Sequence, residues 1–147
     1  MSQSENENMD FASGKAAFEA KHFSRAMPLL SPFAESGHAT AQHLCAIMYQ
    51  NGLGVVRNET KAFELMQAAA QQGYALAQHG LGFMYLEGEC ATKNPSEAAQ
   101  WFRLAGEQGL QGSLATLALM YKQGNGVPQD EAEAKRLYTL AGFGDAI

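Results

Sequence analysis

The stretch Ala77-Gln78-His79-Gly80-Leu81-Gly82-Phe83-Met84-Tyr85, followed by Gly88 and later by Ala98, Trp101, Ala105 and Gly109, decides the fold because its pattern returns along the chain. Gly37, Gly73 and Gly109 stand 36 residues apart. Met48-Tyr49, Met84-Tyr85 and Met120-Tyr121 keep the same interval, each followed by a glycine at Gly52, Gly88 or Gly124. With Ala62, Ala98 and Ala134, and Ala69, Ala105 and Ala141, six of the 36 positions are identical in three ungapped copies. A fixed period of this length marks a repeat architecture, in which each unit buries apolar surface against its neighbour.

Each copy carries two helical patterns. Ala41, Cys45, Met48, Tyr49 and Gly52 fall at i, i+4, i+7, i+8 and i+11 and share one helix face, as do Ala77, Leu81, Met84, Tyr85 and Gly88. Ala98, Trp101, Phe102 and Ala105 define a second amphipathic helix, echoed by Ala62, Leu65, Met66, Ala69 and by Ala134, Leu137, Tyr138, Ala141. Small residues at Ala46, Gly82 and Ala118 let the two helices of a unit pack closely. Gly52-Leu53-Gly54 and Gly124-Asn125-Gly126 end the first helices, where glycine can adopt the left-handed cap that other residues resist. Asn58, Asn94 and Asp130 are good N-caps for the second helices, and Pro95 suits the first helical position. Before Gly37 lies a variant unit, with Gly14, Phe18, Phe23, Ala26 and Leu30 at tetratricopeptide-like spacing and a shorter inter-helix turn. Pro28 and Pro32 are expected to bend or shorten its second helix, since each removes a backbone donor. The expected division is a disordered acidic tail over 1–8 and one all-α solenoid domain over 9–147. That domain comprises the variant unit 9–36 and repeats 37–72, 73–108 and 109–144, giving about four units and eight helices.

The string from Ala77 to Tyr85 with Gly88, Ala98, Trp101, Ala105 and Gly109 resembles the Sel-1-like repeat, a branch of the tetratricopeptide-type solenoids. Pro32-Phe33-Ala34-Glu35-Ser36-Gly37 is similar to the ending of a shorter first unit in that family. The resemblance covers nearly the whole chain. It implies a right-handed α-solenoid whose first helices line a concave surface, and scaffold or adaptor roles. The chain departs from the pattern at Cys45-Ala46, at Cys90-Ala91 and at Ser113 and Thr116, which bears on turn geometry around Cys90. Cysteine-rich members of the family place their paired cysteines at other positions, so no disulfide between Cys45 and Cys90 is implied.

Composition narrows the function. Fifteen acidic against ten basic residues give a formal charge of -5, with no basic cluster, which disfavours nucleic acid and anionic membrane. No apolar run approaches the roughly 20 residues of a membrane span. Residues 1–10 lack the basic and apolar regions of a secretory signal, so a cytoplasmic location is expected. Nucleophile elbow, phosphate loop, H-E-x-x-H and dinucleotide motifs are all missing, and neither an enzyme nor a cofactor is expected. His43 and His79 share a repeat position, but helices in such stacks lie roughly 8–10 Å apart. Zinc needs its nitrogens within about 2.1 Å and further ligands, so these histidines read as polar lining and no metal site is expected.

Ile47, Phe83 and Leu119 form an apolar ladder about 160–200° around the first helix from Cys45, Leu81 and Leu117, with Gln50, Leu86 and Lys122 beside it. Two readings stay open: the apolar floor of a groove for a peptide or helix, or packing between repeats. The candidate partner-binding residues are therefore His43, Ile47, Gln50, His79, Phe83, Leu86, Leu119 and Lys122, and the expected partner is a protein or peptide. The alternative is a structural subunit that associates with a second copy of itself, as a homodimer, through an uncapped C-terminal edge. Leu140, Phe143 and Ile147 would share one face there if the last helix continued.

Overall fold

Asn58, Asn94 and Asp130 set the start of the second helices as the sequence predicts. Their side-chain oxygens accept from the backbone N–H groups of Lys61 at 3.0 Å, Glu97 at 3.2 Å and Glu133 at 3.0 Å. In the computed structural model, which describes residues 3–144, the described residues form eight α-helices and no strand. They are α1 (Gln3–Glu19), α2 (Phe23–Glu35), α3 (Ala39–Asn51), α4 (Glu59–Gln71), α5 (Ala75–Glu87), α6 (Pro95–Glu107), α7 (Gln111–Gln123) and α8 (Glu131–Leu140). The helices group into two units, Met1–Gln72 with α1–α4 and Gly73–Ile147 with α5–α8.

In the first unit α1 packs on α2, α2 on α3 and α3 on α4. Leu30, Cys45 and Met48 are almost fully buried at its centre, with Phe11, Phe18 and Phe23 packed around them. Gly14 is required by close packing, because a Cβ there would sit 2.8 Å from the Leu30 side chain. The turn between α1 and α2 is only Ala20 to His22, against seven residues in each later pair. Residues 3–8, within the stretch expected as an acidic tail, form the opening turns of α1. Once a helix is anchored by packing, as α1 is through Phe11 and Ala17, extending it through Gln3-Ser4-Glu5-Asn6-Glu7-Asn8 needs no new nucleation, and this offsets the weak propensity of Ser4, Asn6 and Asn8. Residues 1 and 2 lie outside the described residues. Helix α2 runs 13 residues through Pro28 and Pro32, the same length as α3, so the prolines do not shorten it. Both prolines are exposed, so the lost hydrogen bonds lie on the solvent side while Ala26, Met27, Leu30 and Ala34 hold the other face in the core.

In the second unit α5 packs on α6, α6 on α7 and α7 on α8. Phe102 is its largest fully buried side chain, surrounded by Leu117, Met120 and Leu137. Gly88 and Gly124 end α5 and α7 in the left-handed conformation, as Gly52 ends α3 in the first unit. Each following loop closes through a backbone bond to the repeated tyrosine, Asn94 N–H to Tyr85 O at 2.8 Å and Asp130 N–H to Tyr121 O at 2.9 Å. Asn58 does the same to Tyr49 at 3.0 Å.

Cys90 is the exception in these loops. It holds φ +64 where Gly54 and Gly126 hold φ +71 and +76. A left-handed conformation costs a residue with a Cβ about 1–2 kcal/mol, partly offset by the chain entropy that glycine loses. Cys90→Gly is therefore expected to stabilise by about 1 kcal/mol and raise the melting midpoint by roughly 2–4 °C. A thermal melt with an unchanged or lower midpoint would show that the backbone at 90 carries no strain.

Candidate functional site

The predicted site residues fall into the two units and differ in what surrounds them. On α3 of the first unit, His43, Ile47 and Gln50 are each half-buried. On α5 of the second unit, the Phe83 ring meets Phe102 edge-on at 5.0 Å and His79 at 4.9 Å. Phe83 thus packs against the core of its unit, and Leu86 joins the same periphery. On α7, Leu119 is 42% exposed and Lys122 is exposed one turn further on. Within the second unit, one ladder position is therefore engaged in packing and the other is open.

His79 is positioned by three neighbours. Its ring lies edge-on to Phe83 and to Phe102, and Nδ1 is 2.7 Å from the hydroxyl of the fully buried Ser113. Burial pushes the His79 pKa below its ordinary value. The sign follows directly: the folded state favours neutral His79, so its contribution is fully present above the unfolded pKa, about 6.5, and is lost as pH falls below it. Urea midpoints at pH 7.5 and pH 5 are expected to fall with acidification, and less so in His79→Gln. Equal falls in both proteins would remove His79 from the account. Among the described residues no group of three or more His, Cys, Asp or Glu is placed to hold a metal ion.

Cys45 is buried, and burial together with Glu35 pushes its thiol up to about 11, leaving it protonated and unreactive at neutral pH. Cys90 is half-buried in its loop. The Arg103 guanidinium lies over the Tyr121 ring of the second unit at 5.6 Å and donates to the Tyr121 hydroxyl.

Repeated glutamines are the main feature that patterning by apolar residues misses. Gln72 Nε2 donates to the Gln42 side chain at 2.8 Å and to the Gly37 carbonyl at 3.0 Å. Gln108 repeats this with Gln78 at 2.9 Å and Gly73 at 2.9 Å. The 36-residue recurrence of both glutamines was the available signal. In the third copy Leu114 and Gly144 take their places and the clasp is gone.

The C-terminal edge differs from the expected continuous face. Helix α8 stops at Leu140, and Gly142 and Gly144 turn the chain with φ +95 and +57. Leu140 is 57% exposed, Phe143 is 53% exposed and packs edge-on to Tyr138, and Ile147 lies outside the described residues. Leu104, at the repeat position of Leu140, is also exposed, so exposure there is a property of the repeat position rather than of an edge. Lys135 replaces the buried Ala99, which gives α8 a polar side chain where α6 has a core one.

No helix among the described residues is long and apolar enough to cross a membrane. The family model of the Sel1 repeat matches residues 39–74, 75–110 and 113–142. No curated relative matches the chain. Among solved structures, c5321, a protective antigen of uropathogenic Escherichia coli strains displaying an SLR fold, is 31% identical with a TM-score of 0.86 over 92% of this chain and 30% of that one. A Sel1 repeat protein from Oxalobacter formigenes is 32% identical with a TM-score of 0.84, over 92% of this chain and 56% of that one. Helicobacter pylori cysteine rich protein B shares the fold at 20% identity and a TM-score of 0.60, over 88% and 86% of the two chains. The chain thus spans less than a third of the length of the first of these and just over half of the second. Three matched repeats, eight helices in place and solenoid neighbours of the same class show that the chain belongs to the Sel1 repeat family of α-solenoids.

Proposed function

We propose that this chain is a non-enzymatic protein-interaction module that takes hold of a protein or peptide partner through the exposed face of α7 around Leu119. Sel1 repeat proteins are generally protein-interaction modules and typically non-enzymatic. The observation that carries the reading for this chain is Leu119. It is a large apolar side chain at a repeated helix position, 42% exposed, with the Lys122 cation beside it. An apolar anchor flanked by a charge is the composition of a small interface centre with its polar rim. His43, Ile47 and Gln50 on α3 offer a half-buried version of the same face in the first unit.

Leu119→Glu tests this better than a change at Phe83, whose ring is engaged in the core. The variant is expected to keep the wild-type stability within about 0.5 kcal/mol, as surface substitutions do. It is also expected to lose the protein captured by the immobilised wild-type chain. Gln100→Glu, on the exposed side of α6, serves as the control. An identical captured set for wild type, Leu119→Glu and Gln100→Glu would sink the proposal.

A further inference from the structure

A cleft of about 350 Å³ opens in the second unit where α6, α7 and α8 meet. Its walls are apolar. Leu114, Leu117 and Leu137 are buried in them, and Leu140, 57% exposed, stands at the mouth. Leu114 contributes because the third copy carries leucine where Gln42 and Gln78 make the glutamine pairs of the first two. A volume of this order takes a few side chains of a ligand.

Charge sets this cleft apart from its counterpart. At the same repeat positions the first unit has a cleft of about 160 Å³, in which Ser31, Glu35 and Glu64 take the places of Arg103, Glu107 and Arg136. With Lys61, that lining holds two acids and one cation, whereas the lining in the second unit holds two cations and one acid. The sign is reversed. The two arginines are also held differently. Arg136 closes a fork on Glu133, at 3.0 and 2.5 Å, which neutralises it within the unit. Arg103 lies half-buried over the Tyr121 ring, gives an N–H to the Tyr121 hydroxyl and forms no ion pair among the described residues. A guanidinium carries five N–H donors, so Arg103 keeps donors for a carboxylate. Glu107 is an exposed side chain whose carboxylate water can hydrate, while Arg103 is fixed on its ring. The cleft therefore sets one uncompensated cation beside a pocket of leucines.

We infer that this α6–α8 cleft is a docking surface separate from the Leu119 face, and that its occupant is an acidic peptide segment in which apolar residues alternate with carboxylates. An apolar side chain enters between the leucines while the neighbouring carboxylate reaches Arg103. Binding to the whole chain is measured by fluorescence anisotropy with a labelled octapeptide alternating glutamate and leucine. Two control octapeptides separate the contributions, glutamate-serine for charge alone and glutamine-leucine for apolar contact alone. The glutamate-leucine peptide is expected to bind saturably and at least about tenfold more tightly than the glutamate-serine peptide, and about fivefold more tightly than the glutamine-leucine one. Arg103→Gln is expected to weaken it at least about fivefold, and Leu140→Ser, at an exposed position, at least about threefold. Lys93→Gln, exposed in the loop between α5 and α6, removes a cation elsewhere in the unit and is expected to leave binding unchanged. If Arg103→Gln also lowers the melting midpoint, Leu140→Ser alone decides. Leu119→Glu is expected to bind the peptide as wild type does, so failure of this inference and failure of the Leu119 reading are told apart. The inference is overturned if the glutamate-leucine peptide does not bind, or if either control peptide binds as tightly. It is also overturned if Leu140→Ser binds as wild type does, or if Lys93→Gln weakens binding as much as Arg103→Gln.

Discussion

Phe102→Ala is expected to remove about 3–5 kcal/mol of stability from the second unit, the usual cost of deleting a fully buried aromatic side chain and leaving the cavity. Phe102 has no solvent exposure and touches the rings of both Phe83 and His79, so its loss also releases the neighbours that hold the α5 face. For a chain of this size the thermal midpoint should fall by about 10 °C or more. The sequence shows how the site can be repaired. A Cβ on Gly82 would sit 2.8 Å from the Phe102 ring, so the missing side chain is what admits the phenyl group. At the same repeat positions the first unit has Ala46 with Met66, both buried. Gly82→Ala alone should therefore overpack by about 1–3 kcal/mol, whereas Gly82→Ala with Phe102→Met should stay within about 1.5 kcal/mol of wild type. Denaturant midpoints for the three variants check this. Additive losses in the double variant would mean that the two positions do not compensate.

Gly126→Ala is the second large effect expected. A Cβ at 126 would lie 2.5 Å from the carbonyl carbon of Pro95, and φ there is +76. The left-handed conformation adds about 1–2 kcal/mol and the collision with backbone another 1–3 kcal/mol, so about 3 kcal/mol should be lost. Gly54 has the same relation to the Phe23 backbone in the first unit. These loops rest on the first residue of a preceding second helix, and Ser96 Oγ also donates to the Gly126 carbonyl at 3.1 Å. A midpoint for Gly126→Ala within error of wild type would show that the loop can lift away from α6.

What the sequence made readable is the part carried by local chemistry. The caps at Asn58, Asn94 and Asp130 and the left-handed glycines at 52, 88 and 124 depend on a few neighbouring residues, and they sit where spacing placed them. Packing that depends on distant residues was not readable. Helix α2 survives two prolines because its buried face outweighs two missing bonds, and no local rule weighs one against the other. Helix α8 ends at Leu140 although its apolar period continues, because Gly142 turns the chain. The candidate site shows the same division. Phe83 and Leu119 share a repeat position, yet Phe83 is drawn into the core because Gly82 admits Phe102 beside it. Leu119 follows Ala118 instead and stays exposed.

The central claim, that the ladder face holds a protein partner, is tested most directly by site-specific photo-crosslinking in the cells that make the chain. A photoreactive amino acid at position 119 is predicted to give a discrete crosslinked product containing a second protein, and the same group at position 100 on α6 is predicted to give none. Crosslinks absent at 119, or equal from both positions, would contradict the account.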